Sequence, residues 1–270
     1  MKKFGILFVL LAGLATLIAG CGGQKAEGIS ADKVIKVGVT AGPHAEVVDE
    51  VKRLAEKQGL KIQVVEFSDY IQPNVALSQK EIDINSMQHQ PFLDVQIKDR
   101  KYDIVSVGKS ILLPMAIYSN QFKSIEAIPN GATVGIPNDP TNEGRALLLL
   151  QSKGLIKLKP DAGLSATPKD IAENPRNLKF KELEAAQVPR SLNDLDVAVI
   201  NTNYAIPAGL NPKKDSIGVE SLDSPYANVI VVRTADKDNP VVKKFVAIYQ
   251  SAETRKFIEE RFQGTILPAF

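Results

Sequence analysis

The sequence predicts an α/β protein of two lobes with a cleft between them, on two observations. Short runs of β-branched residues alternate with stretches of helical periodicity, the pattern of a parallel or mixed sheet covered on both faces. The alternation then recurs in the second half with apolar runs of its own, after long connections, which divides the core in two.

In the first half, Val34 to Thr40 (VIKVGVT) reads as a strand, His44 to Gln58 as an amphipathic helix and Lys61 to Glu66 as a second strand, with Gly59 placed to stop the helix. A helix from Tyr70 to Gln79 takes Ser68 or Asp69 as its cap, and Pro73 shifts its start. Ile82 to Ser86 is a strand and Pro91 to Arg100 a helix; Tyr102 to Val107 and Leu113 to Tyr118 are strands. In the second half, Ala132 to Ile136, Leu178 to Leu183, Asp196 to Ile200 and Val229 to Val232 are strands. Pro140 to Lys153 is a helix, Asn211 to Asp223 a polar stretch, and Val241 to Phe262 helical with a break near Ser251. Ligands favour the cleft between such cores, beyond the carboxyl ends of parallel strands.

The N-terminus carries an address. Lys2 and Lys3, the apolar run Phe4 to Ile18 and the small residues of Ile18-Ala19-Gly20-Cys21 describe a secretory signal peptide over residues 1–20. The single cysteine, Cys21, sits at the cut, as in the bacterial lipobox, where the thiol takes a diacylglycerol and becomes the new N-terminus. Two or more acyl chains make a stable anchor where one does not. The expected location is therefore the cell membrane, lipid-anchored on its extracytoplasmic face, with residues 21–33 as a tether.

Without Lys2 and Lys3 the 33 basic residues become 31, equal to the 31 acidic ones, so no basic field exists to hold nucleic acid. Once Cys21 is lipidated, no thiol remains for a disulfide or a metal. His44 and His89 are the only histidines, which excludes a histidine-rich metal cluster, and no cofactor motif occurs. G-x-S-x-G, P-loop and G-x-G-x-x-G patterns are absent, and carboxylate pairs such as Glu259 and Glu260 read as solvated faces. Nothing in the chain asks for an enzyme.

The clearest candidate for a site is Pro137 to Gln151 (PNDPTNEGRALLLLQ). Asp139 can cap this helix and Pro140 fits its first position. Arg145 projects from the second turn, where a guanidinium can grip a carboxylate with two parallel bonds. The same residue also fits a surface cation, solvated or paired with Glu143.

At these residues the chain resembles the methionine-binding lipoproteins of bacterial ABC importers. The likeness covers nearly all of the mature chain. Its blocks are VIKVGVTAGPHAEV from Val34, FSDYIQPNVAL from Phe67, QHQPFLD from Gln88 and PNDPTNEGRALLLLQ from Pro137. QVPRSL from Gln187, DVAVINTNYA from Asp196 and SPYANVIVVR from Ser224 complete them. The resemblance implies a two-lobed periplasmic-binding-protein-like fold. Residues 34–112 and 226–270 would form the first lobe and residues 113–225 the second. It also implies that Arg145 binds the α-carboxylate of the ligand, while Asn201 and Asn228 offer amides to its ammonium and carboxylate. Tyr70 and His89 would wall the methionine side chain, contacts that suit a polarizable sulfur. Met87 departs from the pattern, because many family members carry Phe two residues before the histidine.

The expected function is capture of methionine by hinge closure and delivery to an importer's permease and ATPase. Three other readings stay open: a binder of another amino acid or small peptide, a lipid-anchored envelope enzyme, and an adhesive lipoprotein with an apolar partner-facing patch.

Overall fold

The computed structural model describes residues 28–270; the expected signal peptide, Cys21 and residues 21–27 of the tether lie outside them. The chain opens as its periodicity predicts, with β1 (Val34–Thr40), α1 (Pro43–Glu56) and β2 (Lys61–Phe67). α1 buries Val47, Val48, Val51 and Ala55, a stripe of helical spacing. Gly59 lies between α1 and β2 at φ 78°, a conformation that favours glycine.

α2 (Gln72–Ser78) is shorter than expected. Asp69 Oδ1 accepts the amides of Ile71 and Gln72, at 2.7 and 2.8 Å, so the chain turns before Pro73 and the helix begins late. β3 (Ile84–His89), α3 (Gln90–Arg100) and β4 (Ile104–Lys109) follow.

The single strand expected over Leu113 to Tyr118 is instead two, β5 (Ile111–Leu112) and β6 (Ala116–Tyr118), and the chain changes sheets between them. Pro114 has no amide to give a ladder. The crossing backbone is satisfied by side chains: Leu113 O accepts from Arg145, Pro114 O from Thr202 Oγ1, and the Met115 amide donates to Glu220. The chain thus passes between lobes through the residues of one site.

β7 (Thr133–Pro137) leads into α4 (Pro140–Ser152), capped by Asp139, whose Oδ1 accepts the Asn142 amide at 3.1 Å. A Cβ at Gly144 would lie 2.2 Å from the Leu164 carbonyl oxygen, so the close packing of that loop on α4 requires glycine. Next come β8 (Lys157–Leu158), β9 (Ile171–Glu173), β10 (Lys179–Leu183) and β11 (Val197–Ile200). α5 (Thr202–Ala205) is a single turn, and the stretch read as merely polar contains β12 (Ser216–Val219). β13 (Asn228–Arg233), α6 (Pro240–Tyr249), α7 (Ala252–Phe262) and β14 (Leu267–Pro268) complete the chain. The break falls at Ser251, whose Oγ caps α7 by accepting the Thr254 amide.

Two mixed sheets result, in the orders β2-β1-β3-β13-β4 and β10-β7-β11-β6-β12. Each has a parallel trio, joined by antiparallel β13 in the first and β6 in the second. Strand alternation divides each interior into two cores. In the first, Ile35, Val37 and Val39 pack with α1, α6 and α7, while Val229 and Val231 face α2 and α3. In the second, Val197 and Val199 meet α4, while Ala198 and Ile200 meet Ala205 of α5. The molecule is α/β and two-lobed, and among the described residues no helix is long and apolar enough to cross a membrane.

Candidate ligand-binding site

Polar residues gather at the ends of these strands for a common reason. A strand's last carbonyls and a helix's first amides need partners, and where two lobes meet those partners are side chains. Residues that end or follow β1, β3, β7 and β11, with the first residue of β13, line one pocket. All six candidates, Tyr70, Met87, His89, Arg145, Asn201 and Asn228, line it. Sequence reasoning had not placed His44, Asn142 or Asn203 there.

The first lobe contributes His44, which follows β1, together with Tyr70, Met87, His89 and Asn228. His44 sits between Thr40 Oγ1, 2.7 Å from Nδ1, and Asn228 Nδ2, 2.8 Å from Nε2. Burial lowers its pKa to about 3, so the ring is neutral. The Asn228 amide therefore donates to Nε2, and Nδ1–H donates to Thr40. His89 caps α3: its Nδ1 accepts the Phe92 amide at 3.1 Å. Burial, then the nearby Arg145 charge, lower its pKa to about 3 as well. The remaining proton is on Nε2, which donates to Asn142 Oδ1 at 3.3 Å across the cleft. Tyr70 also reaches across, its hydroxyl donating to Asn203 Oδ1 at 2.7 Å. Its ring lies 6.2 Å from Phe92, edge on.

The second lobe contributes charge. Arg145 is 4% exposed, and its partner is not the neighbouring Glu143 but Glu220. Nε donates to Glu220 Oε1 at 3.0 Å; Nη2 donates to Glu220 Oε2 at 2.5 Å and to Leu113 O at 2.9 Å. The guanidinium carbon stands 4.4 Å over the Tyr226 ring. Among the described residues Nη1 makes no hydrogen bond, and the two-nitrogen grip that a guanidinium can offer a carboxylate is made here with Glu220, within the protein. Asn201 donates from Nδ2 to Asn142 Oδ1 at 2.8 Å, and its own Oδ1 is buried with no partner among the described residues. In native proteins such an atom calls for an explanation.

Glu143, beside this machinery, has its pKa raised to about 7, first by burial and then by Glu182, Asp139 and Asp170. Burial also raises the Asp139 carboxyl, against the hydrogen bonds it accepts from Asn142 and Thr141.

The model of the NlpA lipoprotein family matches residues 35–270. The chain belongs to the NlpA lipoprotein family. Among relatives of this NlpA lipoprotein, the D-methionine-binding lipoprotein MetQ of Salmonella typhimurium is 50% identical over 266 residues, covering 97% of this chain and 96% of that protein. The protein of that name from Escherichia coli K12 is 47% identical over the same span. A nutrient-binding protein from Burkholderia cenocepacia, solved bound to methionine, is 55% identical with a TM-score of 0.86, covering 87% of this chain and 100% of that one. The solved methionine-binding protein MetQ is 49% identical with a TM-score of 0.85. These likenesses span both lobes of the NlpA fold.

Proposed function

We propose that this chain binds methionine between its lobes and delivers it to the permease and ATPase of an ABC importer, from a lipid anchor at Cys21 outside the cytoplasmic membrane. One observation carries the reading. A single pocket holds a buried carbonyl oxygen without a partner, Asn201 Oδ1, and a guanidinium nitrogen, Arg145 Nη1, not used by the protein. An ammonium and a carboxylate on one ligand answer both. The other wall, Tyr70, Met87 and Phe92 with neutral His89, is soft and largely apolar, which suits a thioether. Met87 in place of an aromatic ring keeps that wall adaptable.

Closure supplies the mechanism. Among the described residues five side-chain bonds already span the lobes in this conformation: Tyr70 to Asn203, His89 to Asn142, the Tyr204 hydroxyl to Ser68 O at 3.1 Å, Asn203 Nδ2 to Thr40 Oγ1 at 3.4 Å and Lys213 Nζ to Gln263 O at 3.0 Å. A ligand touching both walls stabilises the closed form by its differential affinity. The hinge belongs at the crossings near residues 112–116 and 220–228. The role is capture and release, with no bond made or broken.

Calorimetric titration after unfolding and refolding, to strip carried ligand, tests this. L-methionine, D-methionine and a panel of other amino acids and short peptides are added in turn. One-to-one binding of methionine that Arg145→Ala abolishes supports the reading; heat only with another ligand keeps the class and replaces the ligand. Silence from a folded protein overturns it.

A further inference from the structure

The orphan oxygen of Asn201 points to a device behind it. An asparagine side chain has two nearly superimposable ends, one donating and one accepting, and its neighbours decide which end faces the ligand. Here the decision can be followed through four residues. Asp139 accepts at both carboxyl oxygens: Oδ1 takes the Asn142 amide and Thr141 Oγ1, and Oδ1 and Oδ2 share Asn142 Nδ2. Asn142 therefore turns its Nδ2 to Asp139, at 2.9 Å from Oδ1 and 3.0 Å from Oδ2. That leaves Asn142 Oδ1 as an acceptor, and it takes Asn201 Nδ2 at 2.8 Å and His89 Nε2 at 3.3 Å. With its Nδ2 spent, Asn201 presents Oδ1. His89 supports the same polarity, because the Phe92 amide occupies its Nδ1 and leaves the proton on Nε2.

We infer that Asp139 and Asn142 form a polarity relay that fixes Asn201 as an acceptor, so that the pocket selects ligands carrying an ammonium at the α-carbon. This rests on the proposal that the pocket binds an amino acid, and it adds two positioning residues and the reason for the selection. Asp139 is absent from the pocket lining, so its effect on a ligand passes through Asn142. Without the carboxylate, the Asn142 amide can rotate, and Asn201 can follow and aim Nδ2 at the ammonium. Two donors then face each other, and a site that leaves a polar group unmatched in this way discriminates strongly against its ligand.

Asp139 also caps α4, the helix that carries Arg145, so a structural role must be separated from the relay. Two ligands do this. Methionine has an ammonium, which only donates, whereas its 2-hydroxy analogue, 2-hydroxy-4-(methylthio)butanoate, has a hydroxyl that accepts or donates. Both carry the carboxylate, so displacement of α4 and Arg145 weakens both. A fault in the relay weakens methionine alone.

The experiment is equilibrium binding of both ligands to the full chain, purified in detergent and stripped of ligand, as wild type, Asp139→Asn and Asp139→Ser. Both replacements retain capping ability, and neither fixes Asn142 by charge, so each serves if the other folds poorly. The expected result is methionine weakened by about tenfold to a hundredfold while the hydroxy acid stays within about threefold. Equal weakening of the two ligands, or no weakening of either, overturns the relay and leaves the proposed function standing. A folded wild-type chain that binds no amino acid overturns both.

Discussion

The first lobe gives the pocket two imidazoles, two aromatic rings, a thioether and two amides, whereas the second gives it a guanidinium, three amides, a hydroxyl and the side chain of Leu113. Both walls are buried, yet they deal with burial differently. The first removes charge: His44 and His89 are held neutral, each with both ring nitrogens in hydrogen bonds. The second keeps charge and pairs it, Arg145 with Glu220 and Asp139 with the head of α4. Under the proposed function, the charged wall suits the ends of a zwitterion and the neutral, polarizable wall suits a side chain.

The strongest way to break this comparison is Arg145→Ala. Among the described residues it removes the one cation lining the pocket, and affinity for methionine should fall about a hundredfold or more in titration. The substitution also strands the Glu220 carboxylate. Arg145→Ala with Glu220→Gln, checked by melting temperature, separates binding from stability. Wild-type affinity in the double variant would return the charged wall to a purely structural role.

The neutral wall is exposed by pH. Each buried histidine has a folded-state pKa of about 3 against an ordinary 6.5, so below pH 6.5 the unfolded chain takes up a proton that the folded chain refuses. Stability is therefore present above pH 6.5 and lost as pH falls. Glu143 opposes this between its ordinary 4.5 and its folded value of about 7, because there the folded state holds the extra proton. Two protons against one leave a net loss of stability as pH falls through about 5.5, and a steeper one in Glu143→Gln. Denaturant titrations of the ligand-free protein at pH 5 and 6 measure both slopes.

Tyr70→Phe sharpens the contrast more gently. It deletes the hydroxyl that crosses to Asn203 and leaves the ring, so methionine binding should weaken about fivefold through a less stable closed form. Met87→Leu conserves volume on the soft wall and should change affinity by less than about threefold in the same titration.

The sequence made most of this fold legible because its strands are apolar runs and its helices carry clean caps. β1 and α4 fall where VIKVGVT and DPTNEGR place them. β12 escaped because SIGV is an edge strand in a polar stretch that pairs only with β6, and α5 because four residues are too few to show a period. The site was legible as far as motifs carry it. Arg145, Asn201 and Asn228 stand in family blocks, and Asn142 stands three residues before Arg145, on the same helix face. His44 and Asn203 also stand in such blocks, VIKVGVTAGPHAEV and DVAVINTNYA, but carried no role there, and Glu220 stands in none. Glu220 lies 75 residues from Arg145 in a segment with no periodicity, and only the crossing of the chain between lobes brings them together. Sequence proximity favoured Glu143 instead, but two residues apart on a helix do not face each other.

The division of labour between the walls is tested most directly by one thermodynamic cycle: methionine and methioninamide, each titrated into wild type and Arg145→Ala. The amide keeps the ammonium and the thioether and loses only the carboxylate charge. If Arg145 reads that charge, wild type should prefer methionine by about a hundredfold, and the preference should collapse to within about threefold in the variant. An undiminished preference in Arg145→Ala would place carboxylate recognition elsewhere and contradict the account.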